Sequence, residues 1–209
     1  MKKSMCITYE VAGALYLNIT NACTNSCDFC IRNNGDGAYG SDPLWLEHEP
    51  SYDEVIAAIN STDLASYPEV VFCGYGEPTA RLDLVLDVAR YIRKKAPDLP
   101  IRINTNGHAS LIAKCDRAKD FEGLFDVVSI SLNTPSAEKY VEMCHPVYQK
   151  EGFYGLLEFA KNVKKYVHSV LLSVVRETLT EEELDECYKI ADDLGVTLKV
   201  RTYIGPDDK

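Results

Sequence analysis

Two spacings of apolar residues take turns along this chain. In short stretches every second residue is apolar. Leu15, Leu17 and Ile19 alternate with Tyr16, Asn18 and Thr20, and Ile101 and Ile103 with Arg102, Asn104 and Asn106. Val128, Ile130 and Leu132 alternate with Ser129, Ser131 and Asn133, and Leu198 and Val200 with Lys199, Arg201 and Tyr203. That period marks strands with two unlike faces. It predicts a hairpin of Met5–Val11 and Ala14–Thr20, split by Ala12-Gly13. It then predicts strands at Val70–Tyr75, Ile101–Thr105, Val127–Leu132, Val170–Val175 and Leu198–Tyr203. The intervening stretches carry helical spacing. Helices are predicted behind the capping box Ser51-x-x-Glu54, over Leu82–Lys95, and as a poorer segment over Ala109–Lys119. Further ones follow at Ala137–Met143, at Gly155–Tyr166 and behind Thr180-x-x-Glu183.

Strands separated by helix-length spacers pair in parallel. The expected fold is α/β, a six-stranded parallel (β/α)6 partial TIM barrel with an N-terminal β-hairpin, as one domain over residues 1–209. Parallel strands covered on both faces are apolar on both. Here one face is apolar and the other is Asn, Ser and Arg. A sheet with one wet face fits the same alternation, but the helical spacers favour a lumen that holds a polar ligand. On that reading Arg102, Asn104, Asn106, Ser129, Ser131, Asn133, Arg201 and Tyr203 face a cavity, and Ile101, Ile103, Ile130 and Val200 face the helices.

Composition narrows the class. Of the 209 residues, 46% are hydrophobic and 26% charged, which suits a soluble globular domain. The formal net charge of −10 argues against broad nucleic-acid binding. No apolar run reaches the length of a membrane span, and MKKSMCITYEV lacks a secretory core. A cytoplasmic location is expected, where eight cysteines point to metal or catalysis rather than to disulfides.

Three of those cysteines lie within eight residues, Cys23-Thr-Asn-Ser-Cys27-Asp-Phe-Cys30, on the loop after the long hairpin strand. Zinc sites use paired ligands with a fourth nearby, and ordinary ferredoxin clusters use four cysteines. The remaining cysteines, Cys6, Cys73, Cys115, Cys144 and Cys187, are scattered singly. Three thiolates on an iron–sulfur cluster would leave one iron open to a substrate or cofactor. An electron-transfer protein with an external fourth ligand and a non-catalytic zinc scaffold remain alternatives.

Cys-x3-Cys-x-Phe-Cys resembles the signature of the radical S-adenosylmethionine (SAM) superfamily. "GYGEPT" (Gly74–Thr79) is similar to that family's Gly-Gly-Glu-Pro motif, "NTNG" (Asn104–Gly107) to its Thr-Asn-Gly motif, and "SLN" (Ser131–Asn133) ends the next strand. The stretches "YLNIT", "LWLE" and "VFCGYGEPT" resemble the small TatD-linked branch. The resemblance implies a [4Fe-4S] cluster on Cys23, Cys27 and Cys30, with S-adenosyl-L-methionine on its fourth iron. It implies SAM contacts from the backbone of Gly74, Tyr75 and Gly76, from Glu77, from Phe29 near the adenine, and from Asn104, Asn106, Ser131, Asn133 and Tyr203. It further implies reductive cleavage of SAM to a 5′-deoxyadenosyl radical that takes hydrogen from a substrate. The implied partners are a reducing donor such as flavodoxin or ferredoxin, and a TatD-type metal-dependent hydrolase or a protein substrate. A glycyl-radical activase and a small-molecule or nucleotide-modifying enzyme both remain open.

The sequence departs from the family pattern at Tyr75, where glycine is common, at Asn104, where a carboxylate is common, and at Asn133, where one activase group has lysine. Trp45 and Leu46 are expected to pack, with Glu47, His48 and Glu49 in water. Cys144-His145-Pro146 reads as a helix stop in preference to a metal site, and Arg90, Arg93, Lys94 and Lys95 as a solvated helix end. Six strands do not close an eight-stranded barrel. The cavity is therefore expected to open sideways under a movable Ile31–Pro50 cover, with no auxiliary cluster and a large or partner-presented substrate.

Overall fold

The alternating stretches pair in the order in which they occur. In a computed structural model, which describes residues 1–205, they form one seven-stranded sheet in the order β1 to β7. β1 (Thr8–Val11) and β2 (Ala14–Leu17) are antiparallel. Ala12 and Gly13 between them take φ of 50° and 80°, the left-handed pair that a tight hairpin turn requires. The others run parallel to β2 and to one another: β3 (Val70–Phe72), β4 (Ile101–Thr105), β5 (Val127–Ser131), β6 (Ser169–Val175) and β7 (Thr197–Arg201). No pairing of β7 with β1 closes the sheet among the described residues. The result is the expected unclosed partial barrel with an N-terminal hairpin.

Helices α1 (Tyr52–Asn60), α2 (Leu82–Lys95), α3 (Ala109–Ala113), α4 (Ala137–Cys144), α5 (Lys150–Val163) and α6 (Glu181–Leu194) make the crossovers. Both expected capping boxes form, Ser51 with Glu54 on α1 and Thr180 with Glu183 on α6; each cap stabilises its helix by about 1 kcal/mol. The helices cover the apolar face of the sheet. Leu17, Phe72, Ile103, Ile130 and Leu172 are fully buried in that core. Cutting any of them to alanine would cost roughly 2–5 kcal/mol. No helix among the described residues is long and apolar enough to cross a membrane.

Several expectations need correcting. The poorer helix ends at Ala113, because Lys114 turns left-handed (φ 55°) and the chain continues as a loop and a short 3-10 turn at Ala118–Phe121. α5 begins at Lys150 rather than Gly155. Its glycines are contact points rather than breakers: a Cβ on Gly155 would stand 2.6 Å from Leu111 Cδ1, and one on Gly152 3.1 Å from His108 Nε2. Arg93 is not a solvated cation. It pairs with Asp126 and donates to the carbonyls of Leu124 (3.1 Å) and Leu99 (2.8 Å).

The segment from Ile31 to Pro50 also differs from a loose cover. Ala38 and Leu44 are buried with Tyr9 and Tyr75 in a second apolar cluster. The segment reaches the far edge of the sheet, where Asn34 Nδ2 donates to the Ile204 carbonyl (2.7 Å) and lies 3.4 Å from Tyr203 Oη. It thus straps the side on which the sheet is open.

Candidate active site

The cysteine loop leaves β2 and is fixed from below by two asparagines. Asn18, fully buried, donates to the carbonyls of Cys6 (3.1 Å) and Leu44 (2.8 Å) and accepts from Tyr75 N (3.2 Å). Asn21 exchanges two bonds with the backbone of Leu46, at 2.8 and 2.9 Å. The loop then lies across the end of α4. The last carbonyls of a helix lack partners inside it. Here Cys144 O accepts from Ser26 N (2.9 Å) and Met143 O from Asp28 N (3.0 Å), while Val147 N donates to Thr24 O (2.9 Å).

A buried polar chain ties the loop to the neighbouring strand end. Asn106 Nδ2 donates to Thr24 Oγ1 (2.7 Å), which lies 2.8 Å from His108 Nδ1. His108 Nε2 is 3.1 Å from the Gly152 carbonyl. That carbonyl can only accept, so Nε2 carries the proton and Nδ1 receives Thr24's. Asn25 Nδ2 donates to Tyr140 Oη (2.9 Å), itself 3.2 Å from His108 Nε2. Burial holds the His108 pKa down to about 4, so the ring is neutral at pH 7.

The three thiols sit at different points of this rim. Cys23 is close to Glu77, and burial together with that charge pushes its pKa to about 12. Cys27 meets Cys144, whose hydrogen bond and burial both push its pKa up. Burial raises Cys30, which lies near Tyr75. Arg32 opposes the rise at all three. Its guanidinium donates to Asn25 O (3.1 Å) and stands over the Trp45 ring at 5.9 Å. As they stand the thiols are not a converged set: among the described residues no three His, Cys, Asp or Glu side chains are arranged to hold a metal ion. A soft metal centre would take the thiols as thiolates, displacing their protons.

Gly74 to Thr79 runs beside the loop. A Cβ at Gly74 would fall 2.1 Å from Asn18 Oδ1, and at Gly76 2.3 Å from the Thr20 carbonyl, so both glycines are demanded by β2 and its exit. Glu77 is buried, and its carboxylate accepts from Thr79 N (2.9 Å), Thr79 Oγ1 (2.7 Å), Thr105 Oγ1 (2.7 Å) and Asn106 N (2.6 Å). Burial raises its pKa, against those four donors. Glu77 therefore joins the ends of β3 and β4 and has no free oxygen to offer. Tyr75 is buried in the second cluster, donating to Gly35 O (2.8 Å) with its ring on Trp45, so it anchors the strap.

The other predicted residues are spread more widely. Phe29 is half-buried against the main core. Asn104 and Arg102 share the lumen face, with Arg102 Nη1 3.4 Å from Asn104 Oδ1. Asn106 spends its amide on Thr24 and accepts from His108 N (3.0 Å). Ser129 is buried and Ser131 half-buried. Asn133, left-handed at φ 66°, donates to Cys144 Sγ (3.4 Å), and its Oδ1 is buried without a partner. Asn25 Oδ1 is orphaned in the same way. Tyr203 lies across the opening, where its Oη is 3.4 Å from Asn34 Nδ2. Arg201 is exposed.

Sequence reasoning overlooked Arg32, Thr24, Asn25, His108 and Tyr140, and took Cys144 for a helix stop alone. One signal was available: Arg32 is the single Lys or Arg between Lys3 and Arg81. Trp45 and Leu46 pack as expected, Leu46 in the main core and Trp45 against the second cluster. Two surface clefts, of about 400 and 560 Å³, lie around the ends of α1 and α2, and neither is lined by a residue of this rim.

Comparison with known proteins adds a family. A model of the radical SAM superfamily matches residues 17–191. The chain is 30% identical over 146 residues to a probable dual-specificity RNA methyltransferase, RlmN, of Rhodococcus erythropolis, covering 65% of this chain and 38% of that protein. It is 25% identical over 189 residues to a tungsten-containing aldehyde ferredoxin oxidoreductase cofactor-modifying protein of Pyrococcus furiosus, covering 87% and 49%. The chain thus spans less than half the length of either relative. Its fold is similar to a radical SAM methyltransferase from Sphaerobacter thermophilus, with a TM-score of 0.61 at 14% identity over 96% of this chain and 70% of that one.

Proposed function

The chain belongs to the radical SAM superfamily, and from that premise we propose that it is the radical-generating part of an enzyme of the TatD-linked branch. The superfamily implies a [4Fe-4S] cluster and SAM. The kinds of donor present suit both, with the three thiols still to converge on a metal. Three free cysteines share one loop at the C-terminal end of β2, where parallel β/α folds gather their sites. On the same rim Asn25 and Asn133 each hold a buried amide oxygen with no partner in the protein, and a buried acceptor left unpaired costs about 1–3 kcal/mol until a donor meets it. The orphaned oxygen of Asn133, linked through Cys144 to Cys27, is the observation that carries the reading.

When bound, the cluster and SAM supply a one-electron cleavage that yields a hydrogen-abstracting 5′-deoxyadenosyl radical. The chain's own residues hold and orient. Cys23, Cys27 and Cys30 are the ligands of the cluster. Asn133 Oδ1 offers an acceptor to a donor on SAM, and the backbone of Gly74, Tyr75 and Gly76 lines its other side. Glu77 acts at one remove, locking the strand ends that carry those carbonyls. Asn106 and His108 likewise set the loop rather than touch the ligand. Phe29, Asn104, Ser131 and Tyr203 complete the SAM pocket in this reading. Tyr75 and Asn34 keep the strap over the opening, which excludes water from a reactive intermediate.

A low-potential donor such as flavodoxin or ferredoxin delivers the electron, and a TatD-type hydrolase or a protein substrate is the proposed partner in the cytoplasm. The test is anaerobic reconstitution with iron and sulfide, reduction by dithionite, and chromatography for 5′-deoxyadenosine and methionine. Equal amounts of the two products, absent from the Cys27→Ala protein, support the reading. A reduced, iron-loaded wild type that leaves SAM intact overturns it.

A further inference from the structure

The lumen face of the sheet carries a charge opposite to that of the chain. Over the whole sequence 32 Asp and Glu outnumber 22 Lys and Arg. The lumen-facing strand positions hold three cations, Arg102, Lys199 and Arg201, and no Asp or Glu. Leu198 and Val200 pack against the core under the helices, which turns Lys199 and Arg201 to the other face. Arg102 is already neutralised, for Glu69 takes its Nη2 (2.6 Å) and Nε (3.1 Å). Lys199 and Arg201 have no salt bridge and no side-chain hydrogen bond among the described residues.

Their height places them at the working end of the barrel. Lys199 is in register with Ser173, and Ser173 with Ser131. Arg201 pairs with Val175 at the C-terminal end of β7, across the opening from the cysteine loop. Its charge is felt by Cys73 at the end of β3 and by Tyr39 of the strap, both of which it favours in their ionised forms. Arg201, exposed at the C-terminal end of β7, thus has its charge within reach of the strap and of the end of β3. Of the carboxylates around the lumen, Glu69 is spent on Arg102 and Glu77 on four donors from its own chain, while Glu177, two residues beyond Arg201's register partner Val175, accepts from Tyr203 N (2.7 Å).

We propose that β7 is the substrate-selecting wall, where Arg201 and Lys199 bind a carboxylate or phosphate group of an anionic substrate. This rests on the radical SAM reading for the chemistry but not for the binding. A guanidinium offers a planar fork that matches either anion, and an ammonium one layer below adds a point charge. Two cations side by side at one strand end also concentrate anions there, in a protein whose net charge otherwise repels them. The substrate's charged group would lie on the β7 side and its reacting carbon toward the cysteine loop.

The experiment is calorimetric titration of the cluster-reconstituted, SAM-loaded protein with succinate and, separately, with inorganic phosphate. Saturable binding of either supports the proposal and says which anion is preferred. Arg201→Gln should then weaken it by roughly tenfold or more and Lys199→Gln by a few-fold, while Arg201→Lys retains part of it. Lys94→Gln, an exposed change on α2, should leave it unaltered. No saturable binding of either anion by the wild type, or equal affinity in Arg201→Gln, overturns the proposal. SAM cleavage by the wild-type sample, measured separately, reports on the underlying reading: cleavage without anion binding sinks only the proposal, and anion binding without cleavage sinks only the reading.

Discussion

The two sides of the opening are built differently. On the β2–β5 side the cysteine loop is held by three backbone bonds to the end of α4 and by the buried chain Asn106–Thr24–His108–Gly152. On the β7 side Asn34 ties the strap to the chain just beyond the sheet edge, at Tyr203 and Ile204, and the lumen-facing cations are exposed. The first side has the marks of preorganisation: its polar groups are buried, and nearly all are paired. The second has the marks of an entrance, with few bonds and charge open to solvent. A fold that makes a reactive species in one place and admits its target in another needs both kinds of wall.

Substitutions should separate the two sides by the size of their effects. The largest belongs to the thiols. Cys27→Ala should abolish the iron–sulfur chromophore after reconstitution, and so should the same change at Cys23 or Cys30, whereas Cys115→Ala, on an exposed surface position, should leave it intact. A full chromophore in Cys27→Ala would remove the basis of the comparison.

Glu77→Ala comes next. It strands four donors at the joined ends of β3 and β4, and should destabilise the fold by about 3 kcal/mol or more in a denaturant titration. An equal loss from Lys199→Ala would erase the contrast between the sides.

The buried histidine gives a pH test. His108 has its folded pKa depressed to about 4 by burial. Its contribution to stability is therefore complete above the unfolded value near 6.5 and is lost as pH falls from there toward 4. Between pH 7 and 5 the wild type should lose about 2 kcal/mol through this group. His108→Gln should be less stable at pH 7 and show a flatter profile over that window. A parallel slope in the variant would mean that other groups carry the titration.

Smaller effects are expected at single contacts. Asn133→Gly keeps the left-handed backbone while removing the orphaned oxygen, and should weaken SAM binding roughly tenfold, a loss of about 1.4 kcal/mol, with the cluster retained. Unchanged SAM affinity by calorimetry would withdraw Asn133 from the pocket. The smallest change is Asn34→Ala. It should cost only about 0.5–1 kcal/mol of stability, yet speed hydrogen exchange in residues 31–45 without altering exchange in residues 22–30. Equal acceleration in both segments would show that the walls are mechanically one.

How much of this was legible beforehand depended on the range of the interaction. The strand faces were legible, because Ile101, Ile103 and Ile130 alternate with Arg102, Asn104 and Ser129 at a spacing that local geometry enforces. The cysteine triplet was legible for the same local reason. The pairing of Thr24 with His108 and of Asn25 with Tyr140 spans 84 and 115 residues, and no spacing along the chain records it. Cys144 was read as a helix stop, which it is, but its second role beside Cys27 exists only after α4 folds back on the loop. The start of α5 was placed five residues late, at Gly155, because the packing of its first turns, Gly152 on His108 and Gly155 on Leu111, depends on distant neighbours. The strap misled as well. Its glycines and asparagines suggested mobility, while Leu44 and Ala38 fix it to Tyr9 and Tyr75.

The central claim is that Cys23, Cys27 and Cys30 hold one cluster with an iron left open to SAM. It is tested most directly by electron paramagnetic resonance of the dithionite-reduced, reconstituted wild type with and without SAM. The account predicts a single reduced [4Fe-4S] signal per chain, whose shape changes on adding SAM. A preparation that binds zinc without sulfide, or a cluster signal indifferent to SAM, would contradict it.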